Sequence, residues 1–168
     1  MPPADLATTV LGIDPGTQVV GFGVLAVGTR TMRFVDAGVL RANRRDSVPV
    51  RLGEISRQLD DLLGRVRPDV VVVEEAFASR NVKTALRLGE ARGVVLAQAA
   101  RHDARLVQMP PAVAKKALVG NGAAAKEQVA AMVCRLLGLS KAPDPLDATD
   151  ALALALAHVM RGSAQPTG

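Results

Sequence analysis

The 168-residue sequence is poor in the residues that build disulfide frameworks and soft-metal sites. It contains one cysteine, Cys134, two histidines, no tryptophan, no tyrosine and three phenylalanines. A single cysteine excludes an intrachain disulfide and a zinc site built from several thiolates. A chain without a disulfide framework is typical of a reducing compartment, so we expect a cytoplasmic protein.

The sequence also lacks a long apolar run. The longest nearly apolar stretch, residues 151–160, is far shorter than the roughly 20 residues of a membrane helix, and the first residues do not have the pattern of a signal peptide. Apolar residues nevertheless make up 49% of the chain, which is enough for a hydrophobic core. We expect one domain over residues 1–168 with disordered ends at 1–7 and 162–168, and no membrane association.

Acidic residues are outnumbered by basic ones. The 21 lysines and arginines against 16 acids give a formal net charge of +5. This balance is compatible with a polyanionic partner such as a nucleic acid, although charge alone does not prove one.

The order of the predicted elements indicates an α/β fold. Three early strands joined by short turns predict an antiparallel part, and the later alternation of strands and helices predicts parallel crossovers. The Val70–Val73 run has no polar alternation, which is typical of a strand buried on both faces. We predict a mixed five-stranded sheet with helices on both faces, with strands at 8–13, 19–27, 32–40, 70–73 and 106–108 and helices at 48–66, 79–101, 111–118, 125–137 and 146–160.

Four acidic residues stand out by position. Asp14 and Glu74 each follow directly on an apolar strand, and ligands bind at the carboxyl ends of strands in open sheets with crossover helices. Asp147 and Asp150 are spaced i, i+3, which puts both on one face of the last predicted helix. If the two strands are adjacent and parallel, and if this helix packs on the sheet, all four carboxylates meet in one crevice.

Carboxylates gathered in one crevice repel each other, and hard divalent cations relieve that repulsion. Two such ions about 4 Å apart hold the attacking water and the leaving oxygen of a phosphodiester in line. Each acid also has an ordinary structural interpretation: Asp14 starts a turn, Glu74 pairs with a surface arginine, and Asp147 and Asp150 favour the helix start. The metal-site hypothesis therefore depends on the convergence of all four.

Five segments, in order, resemble the RuvC family of bacterial Holliday-junction resolvases, which has a ribonuclease H-like fold. The resemblance covers about residues 10–160. The segments are Leu11-Gly12-Ile13-Asp14-Pro15-Gly16-Thr17, Val73-Glu74-Glu75-Ala76-Phe77, Ala85-Leu86-Arg87-Leu88-Gly89-Glu90-Ala91-Arg92-Gly93, Val119-Gly120-Asn121-Gly122 followed by Lys126, and Asp147-Ala148-Thr149-Asp150-Ala151-Leu152-Ala153.

This resemblance implies an endonuclease that resolves four-way DNA junctions by paired symmetric nicks, in recombination and repair. It implies that Asp14, Glu74, Asp147 and Asp150 are catalytic and bind Mg²⁺, with two ions per site and Mn²⁺ as a substitute. It also implies a homodimer that acts with a branch-migration motor complex. Lys126 is implied in catalysis and in DNA binding.

Further residues are candidates for DNA contact. The resemblance implies that Phe77 stacks on an unpaired base at the junction, and that Lys115 contacts DNA, with the adjacent Lys116 as an alternative. Spacing of three and four residues puts Arg80, Lys83 and Arg87 on one side of the second helix, where they would neutralise phosphates or form an ordinary solvated face.

Gly89, Gly93 and Ala97 recur every four residues on the same helix, so another backbone could approach closely there. That backbone would belong either to the sheet or to a second subunit, and the sequence does not decide between the two. The remaining aromatic residues, Phe22 and Phe34, lie inside strand patterns and are predicted to be buried.

Three other functions share parts of these patterns. The Gly12–Thr17 segment resembles the first phosphate loop of actin-like and sugar-kinase ATPases, but those proteins need two such domains and a second glycine loop. A DNA-binding protein without activity would not need all four acids. A ribonuclease H-like nuclease acting on RNA or RNA–DNA hybrids would share the fold, and the segment with Phe77 favours the junction enzyme.

Overall fold

The computed structural model describes residues 7–75 and 81–163. In these segments the chain forms β1 (Thr8–Asp14), β2 (Val19–Val27), β3 (Met32–Arg41), α1 (Val48–Val66), β4 (Val70–Glu74), α2 (Val82–Arg101), β5 (Arg105–Met109), α3 (Pro111–Val119), α4 (Lys126–Leu137) and α5 (Leu146–Ser163). The predicted element order is confirmed. None of the helices in these segments is long and apolar enough to cross a membrane.

The strands form one mixed sheet in the order β3-β2-β1-β4-β5. The first three strands pair antiparallel, whereas β4 lies parallel to both β1 and β5. Ile13 is paired with Val73 in the β1–β4 register. The residues that follow each of them, Asp14 and Glu74, therefore lie side by side where these two strands end.

Helices cover both faces of the sheet, as predicted. On one face Val71 and Val73 pack with residues of α1 and α2 such as Leu59 and Val95. On the other face Val70 and Val72 pack with α3, α4 and α5. The valine run of β4 is buried on both sides because successive side chains of a strand point to opposite faces.

Three glycines allow α5 to lie unusually close to the sheet. A Cβ atom at Gly12 would overlap the carbonyl oxygen of Ala151, and one at Gly23 would overlap the side chain of Leu152. A Cβ atom at Gly21 would likewise overlap the carbonyl oxygen of Asp147. Gly21 and Gly23 lie inside an apolar strand pattern, which predicts from the sequence that another backbone passes close by. The structure identifies α5 as the element that approaches.

Three expectations about local structure need correction. Helix α2 begins at Val82 and is capped by Asn81, whose side-chain oxygen accepts a hydrogen bond from the Thr84 backbone N–H at 3.2 Å. Ser79, which stands at the start of the helix predicted from the sequence and is a residue type typical of an N-cap, lies outside the described residues. Phe34 is 37% exposed because β3 is an edge strand with a largely solvent-facing first half. Helix α5 extends to Ser163, three residues past its predicted end at 160.

Candidate active site

The first pair of predicted acids lies at the carboxyl ends of the central parallel strands. Asp14 ends β1 and Glu74 ends β4, and both side chains are partly buried. Both carboxylates line the same cleft, of about 280 Å³. The structure thus brings together two acids that lie far apart in the sequence.

The second pair of acids reaches the same region through α5. Asp14 is paired with Gly21 in the β1–β2 register, and α5 packs on Gly21 with the backbone and the Cβ atom of Asp147. Asp150, one helical turn further on, lines the cleft together with Asp14 and Glu74. Both aspartates are partly buried. The close fit of α5 over the glycines is therefore what delivers these two acids to the end of β1.

Two lysines contribute positive charge to this cleft. Lys126, the first residue of α4, places its Nζ 2.9 Å from Oδ2 of Asp150. Lys115, on α3, lines the same cleft, whereas its neighbour Lys116 is exposed and does not line it. Of these two adjacent lysines, only Lys115 lines the cleft.

The acids of the cleft influence one another strongly. Burial, followed by the negative charges of Glu74, Asp150 and Asp147, raises the pKa of Asp14 to about 8, although Lys126 opposes this shift. Burial and the charge of Asp150 also raise the pKa of Glu74. The hydrogen bond to Asp150 raises the pKa of Lys126, which strengthens its positive character. Negative charge at this position is therefore disfavoured unless a cation compensates it.

The residue types of the cleft suit a hard divalent cation, although their side chains are not arranged as a closed metal site in this structure. Carboxylate oxygens are the ligands that Mg²⁺ and Mn²⁺ prefer, and the raised pKa values of Asp14 and Glu74 show that this cleft favours added positive charge. Among the described residues, no three His, Cys, Asp or Glu side chains are arranged closely enough to hold a metal ion, and Asp150 is paired with Lys126.

Arg92 is a candidate residue that sequence reasoning did not single out. It lines a smaller cavity of about 110 Å³ on the α2 side of Asp14 and Glu74. Its guanidinium hydrogen-bonds Gln108 of β5 and lies 3.9 Å from the carboxylate of Glu75. The residue belongs to the Leu88–Gly93 segment, and its spacing of i, i+4 from Leu88 was the available signal that both share one helix face.

Two of the four remaining predicted DNA-binding residues, Lys83 and Arg87, lie on α2. Phe77 and Arg80 lie outside the described residues. Lys83 is exposed, and Arg87 forms a surface ion pair of 2.9 Å with Glu90. The structure thus places Lys83 and Arg87 on the surface.

The surroundings of Gly89, Gly93 and Ala97 indicate whether these small residues of α2 pack against the sheet. Among the residues that the structure describes, no atom lies within 4 Å of a Cβ atom built at Gly89 or Gly93, and Ala97 is exposed. Gly93 and Ala97 therefore do not pack against the sheet, whereas Gly89 borders the cavity that also contains Arg92, Asp14 and Glu74. Val82 and Leu86, which are 74% and 63% exposed, lie at helical spacing before them.

Comparison with known proteins identifies the family. The model of the family described as crossover junction endodeoxyribonuclease RuvC matches residues 10–158. A relative of that name from Chlorobium phaeovibrioides is 44% identical over 153 residues, which are 90% of this chain and 81% of the relative. Another, from Nitratidesulfovibrio vulgaris strain Hildenborough, is 46% identical over 154 residues and 91% of each chain.

The fold agrees with a solved member of the same family. The structure described as T. thermophilus RuvC in complex with Holliday junction substrate superposes with a TM-score of 0.85 at 39% identity, and the match covers 92% of this chain and 94% of that one. The mixed sheet with helices on both faces is thus the ribonuclease H-like architecture that the resemblance implied. The chain belongs to the crossover junction endodeoxyribonuclease RuvC family.

Proposed function

We propose that this chain resolves four-way DNA junctions by paired, symmetric, metal-dependent nicks, as a single nuclease domain. The observation that carries the proposal is the convergence of acids from β1, β4 and α5 on one cleft that also contains Lys115 and Lys126. A cluster with this composition suits phosphodiester hydrolysis, in which catalysis is largely positioning and charge stabilisation. The solved relative bound to a Holliday junction supports the choice of substrate.

In this proposal Asp14, Glu74, Asp147 and Asp150 would hold Mg²⁺, with two ions per site and Mn²⁺ as a substitute. The bound ions would supply the charge that activates a water and stabilises the leaving oxygen. The carboxylates of β1 and β4 are fixed by the sheet, and those of α5 are fixed by its packing on Gly12 and Gly21. The chain thus holds its ligands on rigid elements, as positioning chemistry requires.

The two lysines of the cleft act on the phosphate. The ion pair with Asp150 holds the ammonium group of Lys126 at the cleft, where a non-bridging phosphate oxygen would compete for it. Lys115 approaches the cleft from α3, so the two ammonium groups would contact the scissile phosphate from different elements. We assign Lys116, which is exposed, to the flanking DNA backbone.

The contacts to the junction extend along α2. Phe77 would stack on an unpaired base, a contact worth roughly 1–3 kcal/mol per base. Arg80, Lys83 and Arg87 would neutralise phosphates beside it. For this contact Arg87 would exchange its intramolecular partner, Glu90, for a DNA phosphate.

The outward face of α2 supports a homodimer. Val82 and Leu86 expose apolar surface in line with the open positions Gly89, Gly93 and Ala97. A second copy packed on this stripe by a two-fold axis would bury it and would present two active sites to a two-fold junction. Family membership supports a setting in recombination and repair in the cytoplasm, alongside a branch-migration motor complex.

The test is nick mapping on a labelled four-way junction with Mg²⁺, with linear duplex of the same sequence as the control substrate. We expect opposed, symmetric and ligatable nicks in the junction and none in the duplex. Asp14→Asn should abolish cutting and leave junction binding in a gel-shift assay largely intact. Equal cutting of junction and duplex, or loss of binding together with cutting, contradicts the proposal.

A further inference from the structure

A basic surface lies at the end of the sheet where the strands that carry Asp14 and Glu74 also end. Strand β3 ends at Arg41, which is paired with Val19 at the start of β2, and β2 is antiparallel to the strand that ends at Asp14. The segment that follows, residues 41–47, contains Arg41, Arg44 and Arg45, and we call it the arginine loop. It lies two strands from β1, a lateral distance of about 10 Å.

The backbone of the arginine loop is fixed to its surroundings. The Gln58 side chain accepts from the Arg41 N–H at 3.2 Å and donates to the Arg41 carbonyl at 2.8 Å. Ala42 is buried, and its N–H donates to the carbonyl of Gln18 at 2.9 Å. Because Gln18 belongs to the turn between Asp14 and β2, the loop is tied directly to the turn that follows a catalytic acid.

The three arginines of the loop are exposed and have no acidic partner. Within residues 7–75 and 81–163, none of them forms an ion pair. The only acid in the loop is Asp46. Exposed guanidinium groups on a fixed backbone bind phosphate with little loss of backbone entropy.

The start of α1 reinforces this positive surface. No acidic residue lies in its first turn, and the N-cap Ser47 makes no side-chain capping bond. No acid of the first turn therefore neutralises the partial positive charge of the helix N-terminus. Arg51, in the first turn, adds a fourth arginine beside the loop and directs Nη1 towards the carbonyl oxygens of Arg44 and Asp46, at 3.5 Å each.

We propose that the arginine loop binds the phosphate backbone of the DNA arm that leaves the active site across β2 and β3. This inference rests on the proposed function, because it takes the scissile strand to lie at Asp14. The loop presents charge without exposed apolar side chains, since its Ala42 is buried. That composition fits a nucleic-acid backbone rather than a protein partner.

The experiment compares two triple variants of the full chain in an Asp14→Asn background, so that the DNA is not cut. One is Arg41→Gln/Arg44→Gln/Arg45→Gln. The matched control is Arg30→Gln/Arg33→Gln/Arg105→Gln, which removes the same charge from exposed arginines at the opposite end of the strands. The dissociation constant for a four-way junction is measured from 50 to about 300 mM salt.

We expect the loop variant to bind the junction about tenfold or more weakly near 0.1 M salt. The salt slope, which is the steepness with which the logarithm of the binding constant falls with the logarithm of the salt concentration, should decrease by about 2 to 3, because each lost phosphate contact removes ~0.9 from it. The control slope should change by less than about 1. The same loop substitutions in the parent chain should leave the cutting rate at saturating protein within about threefold, because these arginines do not touch the scissile phosphate.

Equal effects of the loop and control variants on the slope overturn the proposal. If the loop variant does not fold, Arg44→Gln/Arg45→Gln, which leaves Arg41 and its strand intact, should lower the slope by about 2 and decides the question in its place. A parent chain that binds junctions without cutting them refutes the proposed function, and the variant comparison still decides the role of the loop. A parent chain that does not bind four-way DNA refutes both.

Discussion

A side chain at Gly21 would overlap the backbone carbonyl oxygen of Asp147, so the sheet accepts α5 at this distance only because the position has no Cβ atom. Gly21 is also the partner of Asp14 in the β1–β2 register. One glycine therefore sets the separation between the acid that ends β1 and the first aspartate of α5. The contact is backbone against backbone, which leaves little room for rotamer changes to relieve it.

Gly21→Ala should consequently push α5 away from the sheet. We expect a loss of about 1–3 kcal/mol in the free energy of unfolding, as for other overpacked cores, and at least about tenfold slower cutting because the α5 aspartates move. Thermal or urea unfolding and single-turnover cutting measure the two effects.

The control for this substitution is Gly53→Ala, on α1, where a Cβ atom meets nothing within 4 Å. It should leave cutting unchanged and stabilise the protein by about 0.5–1 kcal/mol, since alanine favours a helix over glycine. If Gly21→Ala is as well tolerated as Gly53→Ala, the close packing of α5 does not position the site.

The raised pKa of Asp14 predicts a conflict between stability and function in the metal-free protein. Because the folded state holds this proton up to a pKa of about 8 and the unfolded state releases it near 3.8, stability falls as the pH rises between these values. Asp14→Asn should therefore raise the melting temperature in EDTA at pH 8 by about 2–4 °C or more and change it little at pH 4.

Calorimetry in EDTA at the two pH values, with Asp61→Asn on the exposed surface of α1 as the control, measures this difference. Addition of Mg²⁺ at pH 8 should stabilise the parent chain more than the Asp14→Asn variant. A melting temperature of the Asp14→Asn variant that lies below the parent's at pH 8 in EDTA is incompatible with a strained carboxylate at this position.

We expect Lys126 and a divalent cation to compete for Asp150. The lysine Nζ is 2.9 Å from the carboxylate, so Lys126→Gln should tighten Mg²⁺ binding in the absence of DNA by about two- to tenfold, because a like charge is removed. Cutting should nevertheless fall by at least about tenfold, since the phosphate loses an ammonium contact.

The exposed Lys116, which does not line the cleft, provides the comparison. Lys116→Gln should leave both Mg²⁺ affinity and the cutting rate at saturating protein within about twofold. Calorimetric titration and single-turnover assays separate the two quantities. Weaker Mg²⁺ binding in the Lys126→Gln variant would falsify the competition.

The exposed apolar stripe of α2 predicts dimer disruption by a charge. Leu86→Glu places a carboxylate in the proposed two-fold contact and should convert the protein to a monomer, with paired nicks replaced by slow, unpaired ones. Val35→Glu is the matched control, because Val35 is 53% exposed on the edge strand β3. Analytical ultracentrifugation shows the outcome, and an unchanged mass of the Leu86→Glu variant rules out this face as the interface.

The sequence was most informative where one physical cause dominates. The valine run of β4 predicted burial on both faces, and glycines in β2 predicted a close backbone, because each pattern has few alternatives. Phe34 was wrongly predicted to be buried because strand alternation does not reveal which strand forms an edge. The start of α2 was misplaced because several residues before it are acceptable caps.

The site was predictable to the level of residue type and strand position. Asp14 and Glu74 could be placed together because parallel strands end at one edge. The pairing of Lys126 with Asp150, the separation of Lys115 from Lys116 and the contact of Arg92 with Glu75 could not be predicted, because each depends on how helices far apart in the chain pack on the sheet.

An anomalous difference map of a crystal soaked in Mn²⁺ tests whether the acids of β1, β4 and α5 form one cation site. We expect peaks in the cleft within about 2.2 Å of carboxylate oxygens contributed by β1, β4 and α5, with Lys126 displaced from Asp150. Peaks confined to other acids, or an empty cleft with the lysine pair intact, would contradict this prediction.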